Sequence, residues 1–147
     1  MSRKSSQQPA SPRTGRPTSG KAPPSGAPAA QVAGAVLLDA IAVLVFAAVG
    51  RQAHEEASGL VGVLDVAWPF LTGAAIGWAV GRGWRRPLAP VPTGVAVWVG
   101  AWAAGMMLRQ LSGDGTAPAF LLVAAISLAV VILGWRVIAT LVLRARR

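Results

Sequence analysis

Four apolar runs, residues 32–50, 60–81, 91–108 and 117–143, take up most of this chain and limit what it can become. Each approaches or exceeds the roughly 20 residues that an α-helix needs to cross about 30 Å of hydrocarbon. A water-soluble bundle would need a polar face on every helix, and these runs are apolar all round. Only 13% of the 147 residues are charged and 54% are hydrophobic, where a soluble domain carries about a quarter charged residues. The sequence therefore predicts an all-α integral membrane protein with four transmembrane helices, the lipid bilayer being its first partner.

The net charge of +9 does not point to nucleic acid, because the cations flank the apolar runs instead of lining one face. Five lie in the N-terminal tail (Arg3, Lys4, Arg13, Arg16, Lys21), three between runs two and three (Arg82, Arg85, Arg86), and three at the C-terminus (Arg144, Arg146, Arg147). The alternate connections hold only Arg51 and Arg109, with Glu55, Glu56 and Asp114 beside them. Eleven cations against two predict, by the positive-inside bias, that both termini face the cytoplasm. Trp84 and Trp135 are then expected at the cytoplasmic headgroup level.

Residues 1–31 contain six of the eleven prolines and no acidic residue. Such a segment cannot bury enough apolar surface to offset its ordering entropy, so it reads as a disordered basic cytoplasmic tail. Residues 32–143 form the transmembrane domain and 144–147 a second basic tail. Both tails can rest against anionic lipid headgroups. The absence of cysteine removes disulfides and thiolate chemistry. His54 with Glu55 and Glu56 lacks the spacing of a metal site, so no metal and no cofactor is expected.

Runs two and four share an ordered series of features. Asp65 and Pro69 match Asp114 and Pro118, and residues 70–80 agree with 120–130 at seven of eleven positions. Gly-Trp-Arg closes both, at residues 83–85 and 134–136, and Arg-Gln precedes both, at 51–52 and 109–110. The series points to a two-plus-two parallel internal repeat. By that analogy, Asp114 caps helix four and Asp65 caps the transmembrane part of helix two, with Pro69 in or just past its first turn. The alternative is an unbroken helix from Leu60, with Pro69 inside it.

Asp39 lies seven residues into run one, roughly 10 Å along a helix. A central aspartate costs on the order of 3 kcal/mol in a bilayer and usually faces a bundle interior or a wet cavity. Arg136 finishes on the same side, so an Asp39–Arg136 pair is expected, with an unpaired, proton-carrying Asp39 as the alternative. Arg51 and Arg109 end their runs near Asp65, where they can pair with it or anchor at the interface. Gly73, Gly77 and Gly81 line one face of helix two, and Ala96, Gly100 and Ala104 one face of helix three. These small faces let helices two and three approach closely, with self-association as the competing use. Trp98 and Trp102, four residues apart, read as packing bulk.

Asp39, Gly50–Arg51 with His54, "AWPFLTGAAIGW", "RRPLAPVPTGVAVW", residues 105–109 and the final "GWR" carry a resemblance over about two thirds of the chain. In these residues the sequence resembles the domain-of-unknown-function family 3054, small bacterial membrane proteins typical of actinobacteria. The resemblance implies four membrane helices in a bacterial cell membrane and assigns no activity. No nucleophile–base set or phosphate loop is present, so an enzyme is not expected. The leading reading is an assembly or partner-binding membrane component, acting as a homo-oligomer or with another membrane protein. The other is a small oligomeric carrier or channel with Asp39 in its path.

Overall fold

A computed structural model describes residues 26–52, 59–114 and 117–146. These form four long helices, α1 (Ala29–Gln52), α2 (Gly59–Val80), α3 (Pro90–Leu111) and α4 (Pro118–Ala145). No strand occurs among the described residues. All four helices are long and apolar enough to span a membrane. Large apolar side chains such as Ile41, Val45, Val49, Leu122, Ile126 and Val130 stand exposed on the outer surface, a surface suited to lipid contact. Residues 29–31, assigned to the tail by composition, are helical and open α1. The rest of the tail, up to residue 25, lies outside the described residues.

The helices alternate in direction. The start of α1, the α2–α3 connection and the end of α4 share one end of the bundle, the tail end. There Ala27 N–H donates to the Trp84 carbonyl at 3.2 Å. Pro118 is the first residue of α4, where its missing N–H costs nothing. α2 ends through Arg82, which adopts a left-handed conformation (φ 48°, ψ 48°), followed by a 3-10 turn at Gly83–Arg85.

Two expectations about helix starts are overturned. α2 begins at Gly59 and runs through Pro69, so Asp65 lies within the helix and does not cap it. Pro69 deprives the Asp65 carbonyl of its usual intrahelical donor, and its ring is buried against the bundle. The N-cap of α4 is Ala117, and no side-chain hydrogen bond caps that end among the described residues; Asp114 reaches Arg109 instead. Pro69 stands ten residues after the start of α2 and Pro118 at the start of α4, so the shared Asp-x3-Pro spacing occupies two different structural positions.

The core is built on close approach between α2 and α3. A Cβ on Gly73 would strike the Gly100 carbonyl oxygen, and one on Gly77 would strike that of Ala96. One on Gly81 would meet the Ala96 methyl group at 2.6 Å. α3 contains a π-helical turn, Gly100–Ala104, which inserts one residue into the helical period. The small-residue face therefore passes from Ala96 and Gly100 to Gly105, in place of the expected Ala104. Gly105 lies under Phe70, whose ring meets Phe46 of α1 edge-on at 5.1 Å.

Trp98 and Trp102 attach α4 to α3. Their indole N–H groups donate to the Ala125 and Leu121 carbonyls, at 2.9 and 3.0 Å. The spacing of four on α3 matches the spacing of four on the antiparallel α4. The two rings thus supply directional bonds as well as bulk.

Candidate functional site

Where the four helices meet near the tail end, Asp39 of α1 and Arg136 of α4 are both buried, at 2% and 0% exposure. The guanidinium faces the carboxylate edge-on, Nη1 to Oδ1 and Nη2 to Oδ2, each at 2.6 Å. This bidentate geometry is the strongest that a carboxylate and a guanidinium adopt. Trp135 Nε1 also donates to Oδ1 at 2.9 Å, and Trp78 Nε1 to Oδ2 at 2.8 Å. A carboxylate offers about four lone-pair positions, and here four donors occupy them.

Arg136 uses four of its five N–H donors. Its Nε donates to the Pro87 carbonyl at 3.2 Å, and Nη1 also donates to the Ile132 carbonyl at 3.1 Å. The guanidinium carbon lies 4.4 Å from the Trp135 ring centroid and 6.0 Å from that of Trp78, within range of cation–π attraction. Two glycines make room for this packing. A Cβ on Gly94 of α3 would meet Arg136 Cδ at 2.9 Å, and one on Gly83 would collide with the Trp78 ring. The site therefore joins α1, α2, α3, α4 and the α2–α3 connection through one carboxylate and one guanidinium.

Taking two charges out of water costs several kcal/mol per ion unless geometry and further hydrogen bonds compensate. Here the compensation is nearly complete, and what it secures is the arrangement of the bundle. Each carboxylate oxygen of Asp39 thus accepts two hydrogen bonds, one from Arg136 and one from an indole. A groove of about 490 Å³ between α1 and α2, lined by apolar residues including Val36, Leu71 and Ala75, has Asp39 in its wall.

Trp135, expected at the headgroup level, is half-buried and donates to Asp39. Trp84 is exposed, in the turn after α2. Trp78, Pro87 and Gly94 were not foreseeable from sequence, because a tryptophan, a proline and a glycine near a helix end each have many ordinary uses. The one signal available was that two opposite charges within apolar runs must find polar partners.

The other charged candidates do not gather with Asp39. Arg51 donates to the Gly62 carbonyl at 3.1 Å, and its guanidinium fills the space a Gly62 side chain would take. Arg109 approaches Asp114 at 3.9 Å and lies 5.3 Å from the Phe120 centroid, while its Nε is buried with no acceptor among the described residues. Asp65 is exposed on α2 and makes no side-chain hydrogen bond or ion pair among the described residues. Pairing of Asp65 with Arg51 or Arg109 is therefore not found. His54, Glu55 and Glu56 lie outside the described residues.

No curated protein and no solved structure matches this chain. A family model described as "Protein of unknown function (DUF3054)" matches residues 36–139, a span that contains both Asp39 and Arg136. The chain belongs to that family.

Proposed function

We propose that this protein is a multi-pass component of the bacterial plasma membrane, with both termini cytoplasmic, that works by holding another membrane protein through the outward face of α2. The eleven-to-two distribution of cations supports the orientation. The observation that carries the binding reading is the contrast between two aspartates. Asp39 is closed inside the bundle, whereas Asp65 stands exposed on a membrane-spanning helix with no partner among the described residues.

Asp65 shares its face with Val61, Leu64 and Trp68, at offsets that fall on one side of a helix. These neighbours are 79%, 55% and 42% exposed. The Arg51 guanidinium sits at Gly62, and Asp65 lies three residues further in, about 4.5 Å along the helix. A lone carboxylate at that depth costs on the order of 2.5–3.5 kcal/mol near a bilayer centre, less towards its surface. A partner helix bearing lysine or arginine removes that cost. A symmetric dimer through this face would bring like patches together and set Asp65 against its own copy. A second protein is therefore the better fit.

The test is a photo-crosslinking residue at Leu64 in native membranes, with a control at Leu122 on α4. Leu64 alone should yield a hetero-complex of discrete mass, weakened by Asp65→Asn and abolished by Asp65→Lys. A crosslinked homodimer, or a product indifferent to residue 65, contradicts it.

The groove that includes Asp39 in its wall favours a second reading, a small carrier or channel. Proton and cation flux in proteoliposomes separates the two. Flux in the wild-type protein that disappears in correctly folded Asp39→Asn supports transport; no dependence on residue 39 supports the first reading.

A further inference from the structure

At the tail end, Arg82, Arg85 and Arg86 surround a cavity of about 260 Å³ whose remaining walls are Gly81, Pro92 and Thr93. All three arginine side chains are exposed, and none makes a hydrogen bond or ion pair among the described residues. Of the described acidic residues, Asp39 is consumed by Arg136 and the two tryptophans, while Asp65 and Asp114 belong to the other half of the bundle. Three arginines therefore line one hollow with no neutralising carboxylate among the described residues.

The backbone that carries them is fixed. Arg85 N–H donates to the Arg82 carbonyl at 2.9 Å, and the Arg86 carbonyl accepts from the buried Thr93 hydroxyl at 2.8 Å and from Ala89 N–H at 3.1 Å. Arg82 holds a left-handed conformation that a non-glycine residue adopts only at some cost. A glycine there would remove the strain and, with it, one of the three guanidinium groups. The hollow lies at the tail end, where headgroups and cytoplasm would meet the bundle.

We infer that this hollow binds a phosphate group, clasped by the guanidinium groups of Arg82, Arg85 and Arg86. Arginine forks match phosphate oxygens in pairs, and basic pockets at the cytoplasmic side of membrane helices suit anionic headgroups. The phosphate can belong to an anionic phospholipid or to a small soluble phosphate compound, since the recognising chemistry is the same.

The experiment uses the full chain in neutral detergent. Native mass spectrometry measures retention of phosphatidylglycerol against phosphatidylcholine, and calorimetry measures binding of inorganic phosphate. The pocket variant combines Arg82→Gly, which accommodates the left-handed backbone, with Arg85→Gln and Arg86→Gln. The control combines Arg144→Gln and Arg146→Gln, which remove charge from the same end but not from the hollow. Thermal unfolding should show the control as stable as the wild-type protein and the pocket variant at least as stable.

The pocket variant should lose affinity by about tenfold or more, while the control stays within about twofold. Loss confined to phosphatidylglycerol identifies a lipid headgroup; loss that includes inorganic phosphate identifies a free phosphate group as sufficient. If neither probe binds the wild-type chain, or both variants lose binding equally, the hollow is not a phosphate site.

Discussion

Arg136 meets Asp39 through two parallel 2.6 Å hydrogen bonds, and Trp78 and Trp135 supply the other two donors to the same carboxylate. The pair is therefore not a free-standing ion pair that could be turned round. Exchanging the charges, with Asp39→Arg and Arg136→Asp, leaves both indole N–H groups aimed at a cation. The exchanged protein should remain as unstable as either single variant, about 3–5 kcal/mol below wild type. Unfolding in mixed micelles measures this, and recovery of wild-type stability would show that the tryptophans contribute nothing.

Trp78→Phe and Trp135→Phe each keep most of the ring and remove one donor to a charged acceptor. Each should cost about 1.5–3 kcal/mol. Trp98→Phe and Trp102→Phe remove donors to neutral backbone carbonyls, and each should cost only about 0.5–1.5 kcal/mol. The same unfolding assay ranks the four variants. Equal losses in all four would mean that ring packing outweighs the charged acceptor.

Some glycines face the backbone of a neighbouring helix and others face open space. Gly77→Val forces a side chain against the Ala96 carbonyl of a neighbouring helix and should destabilise by about 3 kcal/mol or more. Gly34→Ala and Gly134→Ala have nothing within 4 Å of the added carbon and should stabilise their helices by about 0.5–1 kcal/mol. Thermal unfolding of the three variants checks the sign of each change.

The bundle was legible because the apolar runs have the length of a bilayer and the cations mark their ends. The Asp39–Arg136 contact was legible for a related reason: a charge inside an apolar run needs a partner at its own depth. The indole donors were not, since a tryptophan near a helix end reads equally well as a headgroup anchor. Asp65 was misread because its spacing to Pro69 copies that of Asp114 to Pro118, and linear spacing does not show where a helix begins. Gly105 was missed because a π-helical turn shifts a helical face by one residue, and nothing in "GAWAAG" announces that turn.

Asp39 and Arg136 stabilise the bundle as a unit, and a double-mutant cycle reads that directly. Asp39→Leu and Arg136→Met are compared with the double variant by unfolding in mixed micelles. Each single change leaves a buried charge uncompensated and should cost about 3–5 kcal/mol. The double variant should cost no more than either single change, giving a large coupling energy between the two positions. Losses that simply add would show that the two residues act independently, and would contradict the reading of Asp39 as the closed centre of the fold.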